Sequence, residues 1–157
     1  MSQANAELIR RLYVALDARD GEAMARCYHE HATFRDPVFT LQGERIGGMW
    51  RMLTARAADL RAHANGIDAD AETGRAHWIA TYSYSATGRK VENRVDARFR
   101  FREGLIGEHV DTFSFWRWSR QALGPIGMVA GWTPWLRHTV QTRATEALDR
   151  YIETTAR

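Results

Sequence analysis

Five side chains in this 157-residue chain have the chemistry to move or direct a proton: Tyr13, Asp36, Asn93, His109 and Asp111. His109 and Asp111 stand two residues apart in Gly107-Glu108-His109-Val110-Asp111-Thr112-Phe113, whose spacing reads as a strand. Alternate residues of a strand share a face. Both therefore point the same way as Phe113 and Phe115, and that face is expected to look inward. An imidazole beside a carboxylate in such a place can shuttle a proton near neutral pH. The same pair can also be a polar rim or a hydrogen-bonded structural element. Asp36 ends a short strand immediately before Pro37. Half desolvated at a pocket wall, it would have its pKa raised into a range useful for a general base; as a turn residue it would do nothing. Asn93 falls on the expected inner face of another strand, where an amide could orient a substrate or a water.

Other candidates are weaker. His29 and His31 do not share a helix face and have no evident third ligand, so no metal site is expected. Cys27 is the only cysteine, which excludes an internal disulfide and fits a reducing cytoplasm. Trp50, Trp78, Tyr82 and Phe99 could line an apolar pocket with a few placed polar groups, although core packing is the commoner role for any one of them. Twenty-two Lys and Arg face nineteen Asp and Glu, interspersed along the chain. A nucleic-acid reader shows a denser basic stripe, so no nucleic-acid partner is expected. No apolar stretch is long enough to span a bilayer. The apolar run at 128–132 lacks basic amphipathic patterning, so no membrane partner is expected, and the chain reads as soluble and cytoplasmic.

The elements that must position these residues follow from periodicity. Leu8, Leu12, Ala15 and Leu16, with Ile9 and Tyr13 beside them, predict a helix over 4–18. A second helix is expected over 22–29, with Ala23, Met24, Cys27 and Tyr28 inward. A strand over 32–36 and a third helix over 46–60 follow. From 62 to 115 the period changes to two. Val91, Asn93, Val95, Ala97, Phe99 and Phe101 alternate with charged residues, the mark of a sheet wet on one face. Helices followed by a run of antiparallel strands define an α+β domain. Past residue 115 the character changes. A helix over 116–122 is broken at Gly124-Pro125, and Thr133-Pro134 starts a helix running to 154. The expected organisation is a cone domain over 1–115 and a Trp-rich helical extension over 116–157 packed on it.

Within this frame the residues resemble the ketosteroid isomerase and SnoaL-like polyketide cyclase families of the nuclear transport factor two-like superfamily. The resemblance is carried by Tyr13 in Leu12-Tyr13-Val14-Ala15-Leu16-Asp17, by Ala32-Thr33-Phe34-Arg35-Asp36-Pro37-Val38, by Phe99-Arg100-Phe101, and by Gly107 to Phe113. It covers about 7–115. It implies a curved antiparallel sheet forming a cone closed by N-terminal helices. Asp36 then corresponds to the isomerase general base and Tyr13 to an oxyanion-hole phenol. His109 and Asp111 correspond to the acid/base pair of the cyclase branch. Ala97 stands where the isomerases carry a second, protonated aspartate, and Asp96 points to the other face, so a steroid-type isomerisation is in doubt. The expectation is a cofactor-independent acid–base enzyme, of isomerase, cyclase, dehydratase or epoxide-hydrolase type. Its substrate would be a small apolar molecule bearing a carbonyl or epoxide, and the chain would pair as a homodimer. The alternative is a non-catalytic domain of the same fold that binds a hydrophobic ligand or another protein.

Overall fold

The computed structural model describes residues 2–156. Helix α1 (Gln3–Asp17) starts at Ser2, whose hydroxyl accepts from the Asn5 amide, and buries Leu8, Ile9, Leu12, Tyr13 and Leu16. A short helix α2 (Gly21–Ala25) is capped by Asp20. Strands β1 (Tyr28–Arg35) and β2 (Thr40–Gln42) precede α3 (Glu44–Arg56). The meander β3 (Arg61–Ala69), β4 (Thr73–Ser83), β5 (Lys90–Arg102) and β6 (Leu105–Thr112) follows. The chain ends in α4 (Phe115–Leu123), α5 (Pro125–Ala130) and α6 (Pro134–Thr155).

The six strands form one curved, open sheet in the order β2-β1-β6-β5-β4-β3. Every neighbouring pair is antiparallel except β1 and β6, which run parallel. The α+β cone therefore has one parallel seam, and that seam sets β1 beside the strand carrying His109. The inner face of the sheet packs on α1, α2 and α3 in one core that includes Leu12, Phe34, Met49, Trp50, Trp78 and Phe99. A second core of Val91, Phe115, Trp118, Ala122, Leu136 and Val140 packs the C-terminal helices against Tyr82 and Val38. Helix α6 continues past this core to α3, where Leu148 is fully buried and Arg45 pairs with Asp149 at 2.7 Å.

Element boundaries differ from expectation where tertiary pairing wins over local spacing. The second helix stops at Ala25, and Tyr28 and His29 already belong to β1, because Tyr28 pairs with Ile106 across the parallel seam. The third helix ends at Arg56 rather than near residue 60. Strand β6 ends at Thr112; Ser114 accepts from the Arg117 amide and caps α4, so Phe115 opens a helix instead of extending the His109 face.

One irregularity decides where the chemistry points. Arg100 pairs with Glu108, but Phe101 pairs with Ile106, so Gly107 and Glu108 together oppose one residue of β5. This is a β-bulge. It lets Ile106 and His109, three residues apart, both face inward and both be fully buried. A Cβ on Gly107 would lie 2.9 Å from the Arg102 Cβ. Gly107→Ala is therefore expected to crowd the bulge and destabilise the fold by about 1–3 kcal/mol, the usual cost of overpacking. A lowered Tm in a thermal melt checks this, and an unchanged Tm would show that the bulge accommodates the methyl group.

Candidate functional site

The centre of the cone holds a directed chain of hydrogen bonds. His109, on β6, is fully buried; its Nδ1 lies 2.7 Å from the Tyr28 hydroxyl on β1. Its Nε2 lies 2.7 Å from Asp111 Oδ1, two residues further along the same strand. Trp50, on α3, donates its indole N–H to the Tyr28 oxygen at 3.0 Å. Trp78, on β4, points its indole N–H at Asp111 Oδ1 at 3.5 Å. Only one proton arrangement satisfies every member. Tyr28 already accepts from Trp50, so its own O–H donates to Nδ1, and the neutral imidazole carries its proton on Nε2 and donates to the carboxylate.

Aromatic rings close this chain off from water. Phe99 lies 4.4 Å from the His109 ring centroid, Phe34 meets it edge-on at 4.9 Å, and Tyr28 stacks at 6.0 Å. Burial pushes the phenols of Tyr28 and Tyr13 well above their ordinary range, and the Asp111 charge pushes them further. Both are hydrogen-bond donors at neutral pH rather than phenolates.

Tyr13 reaches the same place from α1. Its ring is 5.6 Å from Trp78 and 6.5 Å from Phe99. Its hydroxyl is buried and is the one such side-chain atom among the described residues without a hydrogen-bond partner. An unsatisfied buried hydroxyl costs about 1–3 kcal/mol, which makes it a ready donor to any oxygen placed before it.

Asp36 lies just past the end of β1. Its Oδ1 accepts from the amides of Val38 at 2.7 Å and Phe39 at 2.6 Å. Desolvation, opposed by those two amides and helped by the charge of Asp111, raises its pKa to about 6. Surface area leaves the residue partly accessible. The displacement of its titration comes from the protein packed around the carboxyl, while Oδ2 makes no hydrogen bond among the described residues. Among the same residues Asp111 Oδ2 is likewise without a partner. Three polar atoms, Tyr13 Oη, Asp36 Oδ2 and Asp111 Oδ2, are thus unspent, and their groups are close enough for the charge on Asp111 to shift the titration of the other two.

The remaining expected wall residues divide. Trp50, Trp78 and Phe99 pack directly around the chain. Tyr82 stands under the C-terminal helices, where Trp118 of α4 donates to its hydroxyl at 2.9 Å and burial raises its pKa to about 12. Tyr82 also borders a groove of about 350 Å³ with Val91, Glu92 and Gln121. Asn93 is half-buried on the inner face and makes no side-chain hydrogen bond among the described residues. A larger groove of about 740 Å³ lies elsewhere, over the outer face of the sheet, among Arg35, Arg75, Arg98, Arg100 and Glu108. Asp96 is exposed and bonded to His77, while Ala97 pairs with Asp111 on the inner face. His29 is engaged at both nitrogens, by Glu103 and by the His31 amide. Sequence reasoning missed Tyr28. The two-residue step Ala32, Phe34 does not extend back to it, because β1 is irregular between Tyr28 and Thr33 and Glu30 is exposed; the pairing with Ile106 is what makes that stretch a strand.

Comparison with known proteins agrees with this fold. A family model described as a SnoaL-like domain matches residues 9–109. No curated protein matches the chain. Solved structures share the fold at low identity. A ketosteroid isomerase-like protein from Catenulispora acidiphila, in complex with trimethylamine, is 17% identical, with a TM-score of 0.68 over 82% of this chain and 98% of that one. IdmH, a candidate polyketide cyclase from Streptomyces antibioticus, is 21% identical, with a TM-score of 0.63 over 76% of this chain and 98% of that one. An epoxide hydrolase of the LEH-like type from M. tuberculosis is 16% identical, with a TM-score of 0.65 over 82% of this chain and 95% of that one. With the match running through Tyr13, Tyr28, Asp36 and His109, the chain belongs to the SnoaL-like domain family.

Proposed function

We propose that the protein is a cofactor-independent acid–base enzyme acting on a small apolar molecule that bears a carbonyl or an epoxide. The observation that carries this reading is the set of three unspent polar atoms beside a desolvated His–Asp pair. Tyr13 Oη is a donor suited to an oxygen that gains negative charge. Asp36, titrating at about 6, is a carboxylate at neutral pH yet basic enough to take a proton. Asp111, tied through Oδ1 to His109, offers Oδ2 as the second acid/base group, and Tyr28 holds the imidazole in the tautomer that donates to it. An apolar wall of Trp50, Trp78 and Phe99 selects an apolar substrate, with Tyr82 and Asn93 nearer the mouth. The helical extension over 116–157 covers that mouth.

The structure also motivates a second reading. Every nitrogen of His109 and one oxygen of Asp111 are already satisfied inside the protein, as in a polar network kept for fold specificity in a ligand-binding domain. A thermal-shift screen with small apolar ketones and epoxides identifies a ligand for either reading. Turnover then separates them. Asp111→Asn is expected to lower kcat by about 100-fold or more, and Tyr13→Phe by about 10- to 100-fold, in line with loss of an acid/base group or an oxyanion donor. Ligand-induced stabilisation should survive in both variants. Ligand binding without turnover by the wild-type chain would leave only the binding reading, and full turnover in Asp111→Asn would remove Asp111 from the mechanism.

Asp36→Asn is expected to separate function from stability. The amide keeps an oxygen for the Val38 and Phe39 N–H groups. Because folding raises the carboxyl pKa from 3.8 to about 6, the native state holds the extra proton in that window. Stability contributed by this group therefore falls as pH rises from about 4 to 6 and stays low above it. The variant should gain up to about 3 kcal/mol at pH 7 relative to wild type and nothing at pH 3, while losing the limb of kcat/KM that rises through pH 6. Urea titrations at the two pH values and a pH–rate profile check both halves.

The unit we propose is a cytoplasmic homodimer. The outer face of the sheet carries both signs of charge, Arg35, Arg75, Arg98 and Arg100 with Asp68, Asp70 and Glu108, so a two-fold copy can meet it with complementary charge. Sedimentation velocity at micromolar concentration should give a dimer; a lone monomer peak would end this part of the reading.

A further inference from the structure

We propose that the face formed by α4, α5 and the first turn of α6 docks on an anionic lipid surface. Six large apolar side chains stand out from it: Trp116, Ile126, Met128, Val129, Trp132 and Trp135. Val129, Trp132 and Trp135 are 73%, 74% and 69% exposed, far beyond what a scattered surface hydrophobe needs to explain. Two of its helices are tied together and the rest of its residues lie close in the chain. Trp116 on α4 donates its indole N–H to the Met128 carbonyl on α5 at 3.2 Å, and Val129, Trp132 and Trp135 follow at three-residue steps across the α5–α6 turn.

The segment that carries it has charged side chains of one sign. Residues 112–145 contain no Asp or Glu, but carry Arg117, Arg120, Arg137, Arg143 and His138. None of the four arginines forms an ion pair among the described residues. Arg120 lies over the Trp116 ring at 4.7 Å, so a guanidinium borders the exposed indole, and exposed Arg137 lies over the ring of the buried Phe115 at 5.7 Å. The run 128–132 holds no basic residue itself, which is why it does not read as a membrane contact in one dimension. The fold brings the arginines to it from α4 and α6.

The same observations select among occupants. A two-fold copy would set these arginines against themselves with no carboxylate to pair them. Neither groove described above is lined by any residue after Gln121, so the patch offers protruding side chains rather than a cleft for a peptide or small molecule. The indole N–H groups of Trp132 and Trp135 make no hydrogen bond among the described residues, an arrangement suited to the headgroup layer, where Trp is favoured. A lipid surface needs no matching shape, accepts exposed Trp, Ile, Met and Val, and supplies the missing negative charge. This inference stands apart from the acid–base reading, since docking can be measured without turnover.

The test is co-sedimentation of the full chain with vesicles of phosphatidylcholine mixed with phosphatidylglycerol, and with vesicles of phosphatidylcholine alone. Binding to the anionic vesicles at low salt, at least about tenfold tighter than to the neutral ones and weakened by added salt, is expected. Trp132→Ser with Trp135→Ser, and separately Arg117→Gln with Arg137→Gln, should each weaken partitioning by about tenfold or more. Tm should hold in both, because all four side chains are exposed. Any of these results overturns the proposal: no binding to either vesicle; equal binding by wild type and the Trp double variant; or binding to poly-L-glutamate without vesicle binding, which would assign the face to an acidic polypeptide. Self-association that the Trp double variant abolishes would assign it to a second copy and likewise overturn it.

Discussion

Everything in the interior answers to one constraint: a histidine and an aspartate sit on a strand face that water scarcely reaches, and their polar atoms must be met by the protein. Burial of an unpaired ionisable group is among the most costly events in a fold. Here the cost is offset locally. Asp111 meets the Nε2–H of His109, and His109 Nδ1 meets Tyr28. Tyr28 in turn is held by Trp50. Each partner comes from a different element, so the pair ties β6, β1 and α3 into one unit. The bulge at Gly107 is what turns His109 into that interior while leaving Ile106 buried beside it.

The chain is saturated at its centre and open at its edge. Tyr28 and His109 use every donor and acceptor they have, which fixes the tautomer. Tyr13, Asp36 and Asp111 each keep one atom unspent. On the proposed acid–base reading that asymmetry would divide labour: one set of groups sets geometry, and the other would be left to meet a ligand. Asp36 shows how the environment tunes such a group. Two backbone amides favour its ionised form, yet desolvation outweighs them, and its titration moves toward neutrality. Cores assembled only for stability rarely leave a phenol without an acceptor.

The C-terminal helices connect this interior to the outside. Trp118 reaches in to bond Tyr82, and Gln141 of α6 donates to the Pro37 carbonyl beside Asp36 at 2.9 Å. The opposite side of the same helices presents Trp132 and Trp135 to solvent. No described helix is long and apolar enough to cross a membrane, so contact with lipid, where it occurs, is made from one side. A small apolar ligand partitions into lipid, and an enzyme resting there would meet it where it is concentrated.

Much of this was legible before any coordinates. The period-two alternation of residues 90–102 determined the wet and dry faces of β5, and apolar spacing determined α1, because both depend only on near neighbours. The step from His109 to Asp111 to Phe113 was enough to place the pair on one face. Tyr28 was not legible: Ala23, Met24, Cys27 and Tyr28 keep helical spacing, and only the parallel pairing with Ile106, almost eighty residues away, makes that stretch a strand. The link between Trp116 and Met128 was hidden for the same reason, since they come from separate helices. Sequence alone determined which face of each element is apolar and which residue types could carry a proton. Tertiary structure decided which of them touch, because desolvation and hydrogen-bond pairing are properties of the space between elements and not of the chain.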